Sequence, residues 1–284
     1  MGSSSACDMN CDACKDDASA LITKGIAGKT WEYFHYSTPR SVIGAGLTQP
    51  ITIDTFADSY FVVKKLLAVA TVNPLVAAAN SFSALFYNGA TGRTLMNLPI
   101  NARNLFGAGN PLGIGEILPA NLKDAIILPP SSTLQIAVTD LSGAPNTVQL
   151  VFGGYRWYDL SKPPVVKRGN ARLEWYSQSV NTVLAANAQS NVQIRIDSDA
   201  DFLVRKIMAV TTNPYTVQIS DSSTQESWSD VPQVMSNLAG NAAFPYWLPK
   251  PKLIRANSTI SFQFADLGAG TTIQFVLEGA KVYR

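Results

Sequence analysis

Histidine is almost missing from this 284-residue chain: His35 is the only one. A Ser-His-Asp triad needs an imidazole beside its nucleophile, and a histidine-rich metal site needs several, so a lone ring serves neither well. Packing beside Tyr33, Phe34 and Tyr36 is the expectation for His35. Cysteine is scarce where folding would need it. Cys7, Cys11 and Cys14 are the only three, so no disulfide can staple the body, and a hydrophobic core must hold it. Charge is thin as well, at 15% of residues against roughly 25% in an average globular protein. The net charge is +2, and the longest basic runs are Lys64-Lys65, Lys167-Arg168 and Arg205-Lys206. Such short runs leave no electrostatic footprint for nucleic acid. No apolar stretch reaches the roughly 18 residues of a membrane-spanning helix, and no charged start leads into an apolar secretory core. Neither nucleic acid nor a membrane is an expected partner, and the cytoplasm is the expected place of synthesis.

What the chain does have is an internal repeat. Ile51-Thr-Ile-Asp, Ala57-Asp58 and Phe61-Val-Val-Lys-Lys-Leu-Leu-Ala-Val return as Ile194-Arg-Ile-Asp, Ala200-Asp201 and Phe202-Leu-Val-Arg-Lys-Ile-Met-Ala-Val. Asn73-Pro74 is answered by Asn213-Pro214. Thr91, Pro99, Asn104, Leu105 and Gly107 match Thr224, Pro232, Asn237, Leu238 and Gly240 at constant spacing. Asp140-Leu141, Val148-Gln149, Gly154 and Tyr158 match Asp266-Leu267, Ile273-Gln274, Gly279 and Tyr283, and Tyr36-Ser37 matches Tyr176-Ser177. A colinear series of this length marks a tandem duplication.

Each unit reads as β. Leu134-Gln-Ile-Ala-Val-Thr and Ile260-Ser-Phe-Gln-Phe-Ala alternate apolar and polar residues, the period of a half-buried strand. Val148-Gln-Leu-Val-Phe and Ile273-Gln-Phe-Val-Leu are rich in β-branched and aromatic residues. Asn88-Gly89, Ser142-Gly143 and Gly268-Ala-Gly270 punctuate the strands as turns. Phe61 to Ala70 is long and apolar, but its Val and Phe content and the context of its copy favour a strand over a helix. The expected fold class is all-β: two tandem antiparallel β-sandwiches, jelly-roll-like, behind an N-terminal arm. The expected boundaries are 1–35 for the cysteine-containing arm, 36–160 for the first sandwich, 161–175 for a linker with Pro163-Pro164, and 176–284 for the second sandwich. The copies diverge most in the loops Asn101–Asn121 and Asn241–Lys252, where functions can diverge too.

Few residues offer chemistry. Gly28-Lys29-Thr30 matches the end of a phosphate-binding loop, but Thr23 stands where the motif needs glycine. The glycine-rich stretch from Gly107 to Gly115 lacks dinucleotide spacing and reads as a surface loop. Asp197, Asp199 and Asp201 alternate, so in an extended strand their carboxylates share one face and could start a calcium site; a solvated strand end is the plainer reading. A helical calcium loop would need other residues than Phe202 and Met208 at its Gly and Glu positions. Cys7, Cys11 and Cys14 carry Cys-x2-Cys spacing suited to zinc or an iron–sulfur centre, one thiolate short of a closed set. Free thiols on the arm and an intermolecular disulfide through it are the other two readings, and no resident cofactor is expected. Trp228, Tyr246 and Trp247 could serve as sugar platforms, although aromatic residues more often pack.

The pattern shared by both units is an aspartate-rich strand end, Ala-Asp-Phe-Leu-Val-Arg-Lys-Ile, a Leu-Pro-x-Pro stretch, Asn-Ser-Thr-Ile and a closing strand ending in Gly-x-x-x-Tyr. From about Tyr36 to the C-terminus it resembles the small jelly-roll proteins in the structural gene clusters of tailed bacteriophages. That resemblance implies a non-enzymatic virion protein, assembled in the host cytoplasm. Head decoration, cement or minor capsid is the first role it suggests, and neck, collar or fibre attachment the second. The partners it implies are copies of the chain itself and a major capsid protein or other virion proteins. It transfers no catalytic residue. The tandem duplication departs from its single-domain form and leaves room for a double-jelly-roll coat of a tailless virus. A carbohydrate-binding module is the rival from another class.

Overall fold

A computed structural model of the chain describes residues 31–70, 82–89, 91–108, 119–168 and 170–283. The first unit opens with β1 (Trp31–Ser37), β2 (Ser41–Ile43), β3 (Thr48–Asp54), β4 (Tyr60–Ala70) and β5 (Phe82–Asn88). Two short edge strands follow, β6 (Arg93–Thr94) and β7 (Ile100–Asn101), then a one-turn helix α1 (Ala102–Leu105) and β8 (Gly107–Ala108). It closes with β9 (Ala120–Leu128), β10 (Thr133–Asp140) and β11 (Asn146–Trp157). One sheet sets β1 and β2 beside β11, then β4, then β9; the other runs β3, β10, β5 with β6 and β7 on its edge. The chain crosses between the sheets at almost every turn, in the order of an eight-stranded jelly roll.

The second unit repeats the plan. Behind β12 (Lys167–Arg168) come β13 (Ala171–Leu184), β14 (Gln189–Arg195), β15 (Asp201–Thr211) and β16 (Tyr215–Asp221). Then come β17 (Glu226–Ser227), β18 (Gln233–Val234), β19 (Tyr246–Ile254), β20 (Thr259–Asp266) and β21 (Thr271–Tyr283). Their sheets are β12-β13-β21-β15-β19 and β14-β20-β16, with β17 and β18 at the edge. The all-β class and the two sandwiches expected from the sequence are both present, and Phe61 to Ala70 is a strand. Two boundaries shift. β1 starts at Trp31 and carries His35, and β13 starts at Ala171, inside the stretch assigned to the linker. The aromatic-rich start of each unit forms a strand because β11 or β21 supplies a partner along its whole length. Local periodicity cannot register such a partner. Part of the glycine-rich stretch is also ordered: β8 pairs parallel with β4.

The two bodies share one seam. The outer face of the β13-β21-β15 sheet lies against the open side of the first sandwich, between β9 and the segment from Leu95 to Phe106. Trp175, Met208, Ala242 and Val276 of the second unit therefore belong to the first unit's hydrophobic core. The adjacent positions Tyr176, Ile207, Phe275 and Leu277 face their own core. The sheet is thus apolar on both sides, as expected when both faces are covered. Burying these side chains stabilises by roughly 25 cal/mol per Å2 of apolar surface.

Candidate functional site

The seam is also where polar groups gather. Lys206 Nζ, on β15, lies 2.9 Å from Glu278 Oε1 on β21, with both side chains almost fully buried. The same ammonium donates to the Asn121 carbonyl of β9 at 3.3 Å and sits 5.3 Å from the centre of the Trp247 ring. Arg205 donates to both carboxylate oxygens of Asp124 across the seam. Gln274 accepts the Asn101 N–H at 2.7 Å and donates to the Pro99 carbonyl at 3.1 Å. Asn97 accepts the Ser179 N–H at 2.7 Å and donates back to the Ser179 carbonyl at 3.0 Å. A buried ion pair is costly to desolvate and costlier to break, so this network fixes how the two rolls meet more than it adds stability.

A cleft of about 660 Å3 opens beside the seam, lined among others by Arg93, Pro163, Pro164, Arg172, Lys281 and Tyr283. Its cations are already matched. Arg172 Nη2 is 3.0 Å from Glu174 and stacks 4.7 Å from the centre of the Tyr283 ring. Arg93 reaches Asp199 at 3.8 Å, and Lys281 Nζ holds Asp197 at 2.8 Å and Asp199 at 3.0 Å. Burial works against ionising Asp199, but the Lys281 ammonium outweighs it and holds the carboxyl below its usual range. Burial, with the charges of Asp197 and Asp199, pushes the Tyr176 phenol up to about 12. Among the described lining residues the cleft is an internally neutralised junction of prolines and ion pairs, its three cations each paired with a carboxylate.

Asp197 and Asp199 lie in the turn before β15 and Asp201 is that strand's first residue, so the three do not share one extended strand. Asp197 and Asp199 share Lys281, while Asp201 binds Arg255 at 3.3 Å and the Ala256 N–H at 2.9 Å. Among the described residues no group of three or more His, Cys, Asp or Glu side chains is placed to hold a metal ion. Cys7, Cys11 and Cys14 lie outside the described residues. His35 is exposed on β1, its Nε2 2.7 Å from the Tyr33 hydroxyl. The proposed sugar platform does not form a plane. Trp228 packs on the second core, whereas Tyr246 and Trp247 are consecutive on β19 and project to opposite faces. The seam residues Trp175, Met208 and Val276 escaped the sequence reading. Their one signal is an unbroken apolar run where β21 should alternate.

No family model matches the chain, and no curated protein matches it. Among solved structures, it is similar to the major capsid protein of bacteriophage PM2, with 8% identity and a TM-score of 0.45 over 88% of this chain and 98% of that one. It is similar to peptide-N(4)-(N-acetyl-β-D-glucosaminyl) asparagine amidase, with 10% identity and a TM-score of 0.38 over 87% and 96%. A turret protein of Sulfolobus turreted icosahedral virus follows with 8% identity and a TM-score of 0.24 over 87% and 99%. At these levels the likenesses decide neither a family nor a function, and the chain's own topology and residues carry the argument.

Proposed function

We propose that the chain is a non-enzymatic structural protein of a virus particle, a component of the shell present in many copies. The observation that carries this reading is the union of two complete jelly rolls into one body by a buried, hydrogen-bonded seam. A rigid double body with sparse charge suits a lattice in which neighbours cover much of the surface. Jelly rolls recur in viral capsids and also in lectins, so the fold is an analogy and not a function. The non-planar placement of Tyr246 and Trp247 counts against the lectin-like use. In its specific form the reading is decoration of a tailed-phage head, held by copies of itself and by a major capsid protein. A coat role in a tailless particle is the second reading, favoured by the fusion of two rolls in one chain.

Quantitative mass spectrometry of purified particles, with and without reductant, tests this. Many copies beside a more abundant coat protein support decoration, and being the most abundant protein supports the coat role. A few copies per particle would move the chain to the neck or fibres. Its absence from particles would overturn the proposal.

A further inference from the structure

The seam within the chain has two halves, and the duplication repeats each of them elsewhere on the molecule with none of the described residues of the other unit sealing it. The receiving half belongs to the first unit: Ala102, Leu105, Phe106 and Leu122 are at most 4% exposed, sealed by the second unit. Constant spacing and strand register match these residues to Met235, Leu238, Ala239 and Leu248 of the second unit. All four are only partly buried, packed on the second core with one side open. The presenting half shows the reverse asymmetry. Trp175, Ser177, Met208 and Val276 are at most 3% exposed against the first unit. Strand register moves the match of β1 to β13 by two residues from the Tyr36-Ser37 and Tyr176-Ser177 alignment. The counterparts on the first unit's outer sheet are therefore Tyr33, His35, Leu67 and Val151, which are exposed or half-buried. Leu150-Val151-Phe152 on β11 is as unbroken an apolar run as Phe275-Val276-Leu277 on β21, the pattern of a sheet meant to be covered on both faces.

We propose that the outer β1-β11-β4 face of one copy receives the β18–β19 edge of a second copy, repeating between chains the seam that joins the two rolls within each chain. The partner is therefore a second copy of this protein, in a head-to-tail contact that closes into a ring or continues as a polymer. One feature of the seam is not repeated. Where Arg205 meets Asp124, the counterparts are Lys64 and Lys250, and this like-charge pair makes the contact between copies weaker than the one within a chain. The weakness keeps free chains apart until their local concentration rises. The inference names the self-partner within the shell reading, but its geometry stands without a virus.

Residue-specific crosslinking of the full chain tests it, with Cys7, Cys11 and Cys14 changed to serine. Within the chain Met96 bridges Ser177, whose register equivalent is His35, so between copies Ser229 should lie beside His35, within the Cα separation of about 4.4–6.8 Å that a disulfide spans. Mixing His35→Cys protein with Ser229→Cys protein should give mixed disulfides on oxidation, and either protein alone should give far fewer. A chain carrying both changes should give rings or ladders. In native mass spectrometry Lys250→Asp should lower the concentration for assembly by about tenfold or more, while Leu67→Asp should abolish assembly with the thermal transition retained. No mixed crosslink between folded proteins, or equal crosslinking of His35→Cys with itself, would overturn the inference. Crosslinking by a protein absent from particles would overturn the shell reading alone, and an abundant particle protein that does not crosslink would overturn this inference alone.

Discussion

Gly154 and Gly279 show why single residues persist through the duplication. Each sits where its closing strand meets a bulge, between Val63 and Lys65 in the first unit and between Val204 and Lys206 in the second. A Cβ at Gly154 would collide with the Val62 carbonyl, and one at Gly279 with the Leu203 carbonyl. Backbone cannot swing aside as a flexible side chain can, so the extra methyl must displace a strand. Gly279→Ala should destabilise by about 1–3 kcal/mol, read as a fall in the thermal midpoint. Gly46→Ala is a control for the loss of glycine alone: its φ of +64° is strained for alanine, but nothing lies near its Cβ.

Loops bind to strands through one repeated device. Asp140 ends β10 and accepts the N–H groups of Gly46 at 3.0 Å and Gly143 at 3.1 Å. Asp266 ends β20 and accepts those of Asn187 at 2.9 Å, Gly268 at 2.8 Å and Gly270 at 3.0 Å. Burial alone would raise both carboxyls, but the Ser142 hydroxyl and the donated N–H groups at Asp140, and the N–H groups at Asp266, prevail and hold each below the usual carboxylate range. A depressed folded pKa gives stability that is present above the unfolded value of roughly 3.9 and disappears as pH falls through the folded one. Urea titrations should therefore show Asp266→Asn less stable than the parent at neutral pH. The difference should shrink below about pH 4, where the parent's carboxylate also takes up its proton.

At the scale of the molecule the seam makes the two rolls one cooperative body, because the first core is completed by residues of the second unit. Removing one partner of the buried pair leaves a charge without compensation. Glu278→Gln should cost about 3–5 kcal/mol, measured by urea denaturation as one transition moved to lower denaturant. Lys206→Met with Glu278→Leu should recover most of that loss, since apolar replacement of both partners removes the desolvation cost as well. Two separate transitions in the parent protein would contradict the shared core.

The sequence by itself determined the class, the duplication and most of the strands. Alternation in Leu134 to Thr139 and in Ile260 to Ala265 is a local property that each strand must satisfy wherever its neighbours lie. It also exposed the paired aspartates and glycines, since both copies need the same turn and the same bulge. The tertiary structure decided which faces are covered. Val151 and Val276 occupy the same place in matching strands, and only the second is sealed, because the first unit lies across it. It decided the fate of Asp197, Asp199 and Asp201 as well: Lys281 on β21 and Arg255 in the turn after β19 reach them from far along the chain and take up their charge. Coulombic and packing energies fall off over a few ångströms in space, whatever the separation along the chain. A linear reading can show that a residue is repeated, but only the folded chain shows what stands opposite it.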